Sequence, residues 1–194
     1  MSLVTEITKD AINDLPLWKF EGEITVLEKD SDWEEVIPKL WKADILGFDT
    51  EAKPAFKKGV YNPVSVIQLA TADEVFVIRN LLCGFPGDLI RIFEDPSIIK
   101  VGAAIRDDLK DLQKLRKFEP QGFEDISTIA HGNNIKQIGA KNLTAIFLGK
   151  RISKAQQTSN WERTELSRAQ LDYAATDAYL CLKVYEIFQG LKWV

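Results

Sequence analysis

The 194-residue chain holds 45% hydrophobic and 28% charged residues at a net charge of −4, the profile of one globular domain able to bury a sizeable core. No run approaches the ~18 apolar residues of a membrane span, residues 1–6 lack a basic-then-apolar leader, and Cys83 and Cys181 are too few for a disulfide framework, so a reduced, cytoplasmic chain with no membrane partner is expected. One histidine, His131, excludes a histidine-rich zinc site and leaves a Ser-His-Asp triad hard to assemble, and an acidic chain must meet any nucleic acid through local basic groups and a metal.

Residues 1–22 read as a short helical extension ending near Pro16, with Trp18 and Phe20 packing onto the domain. Residues 23–27 alternate as a strand does. Ser31, with Glu34 three residues on, predicts a capped helix over 32–41. The run 45–51, Ile-Leu-Gly-Phe-Asp-Thr-Glu, is a strand that ends in acids. Residues two apart on a strand share a face, so Asp49 and Glu51 sit side by side with Thr50 turned away. Anions that close repel unless a cation lies between them, and a hard divalent ion is the simplest one. Taken alone, the stretch reads equally well as a strand end whose acids both face solvent.

Residues 52–62 form a Lys-, Pro- and Gly-containing loop, and strands at 64–70 and 74–78 flank a hairpin at 71–73. The early sheet is therefore expected to be antiparallel, with the acid-bearing strand inside it. Helices and short strands then alternate: a helix over 88–93, a strand over 98–101, a helix over 107–117, an extended piece over 123–127 and a short helix over 142–148 ended by Gly149. His131 falls in a surface loop, residues 150–163 form a polar loop, and one long helix fills 165–191. On that helix Tyr173 and Asp177, four apart, share a face, and small residues between them leave room for an approach. Asp107 and Asp108 fall in the first turn of their helix. Asp107 reads as an offset to the helix dipole, while Asp108, just before an apolar residue, can turn to the strand ends. The sum is one α/β domain with a mixed sheet.

Taken together, Asp49-Thr50-Glu51 after an apolar strand, Asp108 six residues after Gly102, and Tyr173 with Asp177 on the last helix resemble the DEDD superfamily of 3′–5′ exonucleases, in its tyrosine-bearing branch. Ser159-Asn160-Trp161 also resembles the Werner-type members. The resemblance implies a ribonuclease H-like fold over 23–194: a mixed sheet, antiparallel in its first strands and then parallel, flanked by helices. It implies hydrolysis from the 3′ end of single-stranded or frayed DNA or RNA, with two Mg²⁺ or Mn²⁺ ions. In that scheme Asp49 bridges both ions, and Glu51 and Asp177 complete the site that activates water. Asp108 holds the second ion partly through water, and Tyr173 aims the attacking water. The phosphate charge is left to Lys53, Lys57, Lys58, Lys154 and Arg163, each of which also reads as solvated surface. Base stacking is left to Phe56, Tyr61 or Trp161, the last also readable as a loop anchor. Ala52 stands where Werner-type members often carry an aromatic residue. The alternatives are a catalytically weak nucleic-acid-binding module, an endonuclease of the same fold, and an added role in protein contacts. Ribonuclease D proper adds helical domains, so a stand-alone nuclease domain is the expectation.

Overall fold

The computed structural model describes residues 4–57 and 59–194. Its elements are α1 (Lys9–Asp14), β1 (Glu23–Leu27), α2 (Trp33–Leu40), β2 (Ile45–Ala52), β3 (Val64–Ala70), β4 (Glu74–Ile78), α3 (Asn80–Cys83), α4 (Gly87–Glu94), β5 (Ile99–Gly102), α5 (Arg106–Leu115), β6 (Phe123–Asp125), α6 (Ile126–Gly132), α7 (Ala140–Leu143) and α8 (Arg168–Gly190). The six strands form one sheet in the order β1-β4-β3-β2-β5-β6.

Every residue of β3 is buried, because helices cover both faces of the sheet. On one face Leu46, Phe48, Ile67, Leu69, Phe76 and Ile78 pack with α2, α4 and α5. On the other, Val66, Ala70, Val75 and Val77 meet Ala174, Ala175 and Ala178 of α8. The C-terminal half of α8 continues that second core through Leu180, Cys181, Val184 and Phe188 against Val101, Ile126 and Leu143. Both cysteines are buried and unpaired.

β2, β3 and β4 form the expected antiparallel ribbon, and β5 and β6 run parallel to β2. β1 departs from the expectation. It skips the ribbon and pairs parallel with β4 at the sheet edge, Glu23 opposite Glu74 through Leu27 opposite Ile78. Its partner is set by which edge the ribbon leaves open, a feature with no local signal.

Four boundaries also move for local reasons. Ser31 does not cap α2; the Asp32 carboxylate accepts the N–H groups of Glu28 and Lys29, and the helix begins at Trp33. The extended piece stops at Asp125, whose carboxylate accepts the Ser127 N–H and starts α6, so His131 lies in a helix rather than a loop. The helix expected at 142 begins at Ala140 and passes into a π turn over Thr144–Leu148, closed by Gly149 at φ +62°. α8 begins at Arg168, because Ser167 and Gln170 exchange bonds as a capping box.

A candidate metal centre

β2 carries Asp49 and Glu51 on the face that α8 covers. Gly47 on that same face makes the close approach possible: a Cβ there would lie 2.2 Å from the Ala178 carbonyl oxygen. Ala174, Ala175 and Ala178 are fully buried between helix and sheet, so small residues on both partners let α8 settle onto the strand. Asp177 then arrives over Asp49. Carboxylate oxygens of Asp49, Glu51 and Asp177 all lie within 4.8 Å of one another, the one cluster of three or more metal-ligand side chains among the described residues. They line a cleft of about 210 Å³ with Thr50, Ala103, Lys154, Gln157 and Tyr173.

Three carboxylates this close, packed by protein on most sides, resist ionising together. Burial first, then Asp177 and Asp108, hold Asp49 well above the ordinary carboxylate range. Glu51 is pushed up to about 10 by burial and by the neighbouring Asp49, Asp177 and Asp108. Asp177 rises to about 6 through burial, with the Tyr173 hydroxyl and the Lys154 ammonium pulling it back down. Asp177 Oδ1 is buried without a hydrogen-bond partner. Clustered carboxylate oxygens, one of them orphaned, are a donor set that fits a hard divalent cation of the Mg²⁺ or Mn²⁺ kind.

Tyr173 is 9% exposed, with its ring 6.0 Å from that of Trp161. Burial, then the charges of Asp177 and Glu51, hold its phenol well above the usual tyrosine range, so it stays protonated beside Asp177. Asp108, on the first turn of α5, is half-buried and accepts a hydrogen bond from the Thr50 hydroxyl. Thr50 points to the opposite face of β2, so Asp108 sits beside the three-carboxylate cluster and not within it. Burial raises its carboxyl, and the Thr50 hydroxyl draws it down. Asp107 is exposed and paired with Lys110 at 2.9 Å, as a surface acid would be.

The basic and aromatic candidates divide. Lys154 lines the cleft. Lys53 is paired with Glu162 at 3.2 Å. Phe56 is 85% exposed, and Lys57 beside it is also exposed. Tyr61 lies half-exposed under the Lys114 ammonium, 4.3 Å from the ring centroid. The Arg163 side chain is on the surface, and its carbonyl accepts from Arg79. Lys58 lies outside the described residues. Trp161 is a correction: at 1% exposure, packed among Phe20, Val66 and Tyr173, it has no free face for a base and anchors its loop.

Three supporting residues escape a reading by motif. Gly47 sets the helix-to-strand approach, and Thr50 orients Asp108. Asp125 accepts the N–H of Ala104 as well as that of Ser127. That contact holds the turn between β5 and α5, where Ala104 takes φ +59°, a region alanine rarely enters. Only Asp125 carries a local signal, an acid just before a helix.

A family model described as 3′-5′ exonuclease matches residues 24–191. The chain is 30% identical over 192 residues to the mouse bifunctional 3′-5′ exonuclease/ATP-dependent helicase WRN, covering 93% of this chain and 14% of that protein. It is 30% identical to a 3′-5′ exonuclease of Arabidopsis thaliana, covering 92% of this chain and 67% of that one. The crystal structure of the Aedes aegypti Nibbler EXO domain superposes with a TM-score of 0.81 at 24% identity, covering 90% of this chain and 93% of that chain.

Proposed function

Because the chain belongs to the 3′–5′ exonuclease family, we propose that it hydrolyses phosphodiester bonds stepwise from the 3′ end of DNA or RNA in a metal-dependent reaction. The observation that carries this reading is the meeting of Asp49, Glu51 and Asp177 within 4.8 Å, drawn from a strand end and a helix 126 residues apart in sequence. Asp49, Glu51 and Asp177 would hold the ions, with Asp108 joining from beside the cluster through water. Divalent ions in that position supply Lewis-acid charge that eases ionisation of a water and offsets the charge of the phosphate.

The chain's own residues do the rest. Tyr173, kept protonated by burial, is a hydrogen-bond donor to the attacking oxygen and not a base. Lys154, whose ammonium already eases the Asp177 charge, meets the phosphate in the same cleft. Thr50 fixes the rotamer of Asp108. Phe56 and Lys57, both exposed on the loop after β2, would meet a base and a backbone phosphate of the bound strand.

Matched 3′-labelled and 5′-labelled DNA and RNA oligomers, with Mg²⁺ or Mn²⁺, test this. The 3′ label should leave at once as a mononucleotide, and the 5′ label should step down through a ladder. A circular substrate should stay intact. Cutting of the circle, or no release from either polymer, would overturn the reading.

A further inference from the structure

Residues 4–22 lie ahead of the stretch that the family model matches, yet they are bound into the structure beside the cleft. The Trp18 N–H donates to the Arg151 carbonyl at 2.8 Å, and the Arg151 N–H donates to the Pro16 carbonyl at 3.0 Å. These two bonds form a parallel bridge of Leu17 with Arg151. Arg151 Nε adds a third bond, to the Leu15 carbonyl at 2.9 Å. The same segment is fixed to α8 on either side of Tyr173. Phe20 N–H donates to Thr176 Oγ1 at 3.0 Å, and Lys19 pairs with Asp172 at 2.9 Å.

Arg151 opens a loop, 152–166, that contains no helix or strand. Lys154 and Gln157 reach the cleft from this loop. Among the described residues it is held at several points, with Lys53 paired to Glu162 and Arg79 donating to the Arg163 and Thr164 carbonyls. At its far end Gln170 Nε2 donates to Ser159 Oγ at 3.0 Å and to the Asn160 carbonyl at 3.1 Å, next to buried Trp161. At its near end are the three bonds from residues 15–18. A lysine side chain has many rotamers, and its charge is aimed only as well as the backbone beneath it is held.

We propose that residues 15–18 are a brace that positions Lys154 over the carboxylate cluster, which makes this segment part of the working site. The proposal rests on the exonuclease reading above and names Lys154 as the group through which the segment acts. Lys19 and Phe20, which follow the brace directly, hold α8 at Asp172 and Thr176 on either side of Tyr173.

The test uses the full chain. Trp18→Pro removes the N–H that Arg151 receives, and the extended backbone of the bridge at residue 17 is the conformation that a following proline favours. Trp18→Ala keeps that N–H and serves as the control for the lost indole. Arg151→Ala removes only the bond to Leu15. Trp18→Pro should lower kcat/KM about tenfold relative to Trp18→Ala, the scale of one net hydrogen bond. In a Lys154→Ala background the same change should cost nothing further, which a merely structural role would not produce. Tryptic cleavage after Lys154 should also quicken in Trp18→Pro with the melting temperature held close to that of Trp18→Ala. Arg151→Ala should move both readouts the same way by less. Equal losses with and without Lys154, or unchanged cleavage at Lys154, would overturn the brace. Failure of the unaltered chain to release nucleotides, with cleavage at Lys154 still quickened, would instead overturn the exonuclease reading and leave the brace standing.

Discussion

Asp49→Ala should lose exonuclease activity by more than about 100-fold while the protein becomes easier to fold in the absence of metal. The two effects share one cause. Asp49 is one of three clustered, half-buried acids, and burial, then Asp177 and Asp108, hold its carboxyl well above the ordinary range. Removing it takes away one of the three proposed ligands of a divalent ion. Loss of an outer-shell partner alone commonly costs about 10–100-fold in metal affinity or activity, so loss of an inner ligand should exceed that. Removing it also relieves the crowding that raises Glu51. Steady-state digestion with Mn²⁺ and thermal melting in chelator would measure both. An unfolded Asp49→Ala protein would mean that the carboxylate is structural, and full activity would remove the metal from the mechanism. Tyr173→Phe provides the contrast. It leaves the carboxylates intact, so Mn²⁺ affinity should hold while the rate falls by about 100-fold, the lower end of what removal of one positioned hydrogen-bond donor costs. An unchanged rate would take Tyr173 out of the reaction.

Stability in chelator should fall as pH rises from about 5 to about 8, and added Mg²⁺ or Mn²⁺ should reverse the fall. An acid whose folded value lies above its unfolded one favours folding below the unfolded value and gives that support up as pH rises through the folded one. For Glu51 that window runs from 4.5 to about 10, and for Asp177 from 3.8 to about 6. The ordinary paired acids behave oppositely and at lower pH. Asp95 and Asp107 are held below 3.8 by their Ser97 and Lys110 partners, so their contribution is lost only under acid conditions. A cation bound by ionised Glu51 and Asp177 competes with their protons, so its stabilising effect grows with pH. Free metal at 100 times its Kd would add about 2.7 kcal/mol, or roughly 5–10 °C in melting temperature for a chain of this size. Melting curves at a series of pH values, with chelator and with metal, decide the matter. Stability that rises with pH in chelator, or a melting point indifferent to metal near pH 8, would contradict the electrostatics of the cluster. Asp49→Ala should flatten the slope, because one of the neighbours that raises Glu51 is gone.

The electronegative cleft also bears on how an acidic chain handles a polyanion. A net charge of −4 leaves little general attraction for nucleic acid. Among the described residues the candidate basic groups are Lys154 in the cleft, Lys53 already paired with Glu162, and Lys57 on the exposed loop. On the proposed reading, affinity for an end should depend on bound ions more than on a basic surface, and substrate binding should weaken in chelator along with the chemistry.

Local pattern was enough for much of this protein. The period-two acids at 49 and 51 sit on one strand face because strand geometry alone dictates it, and Tyr173 and Asp177 share a helix face because four residues are close to one turn. The strand limits of β3 and β4 also follow from hydrophobic runs and the turn between them. Tertiary packing decided the rest. Only the fold could bring Asp177 to Asp49, because that meeting depends on Gly47 and three alanines letting α8 approach a strand far away in sequence. Only the fold could set Asp108 on the far side of Thr50, bury Trp161, and send β1 to pair with β4. The sidedness of a short element is local, whereas distances between elements depend on the packing of side chains that no single stretch contains. The same holds for residues 15–18, whose partners lie about 135 positions away, at Arg151.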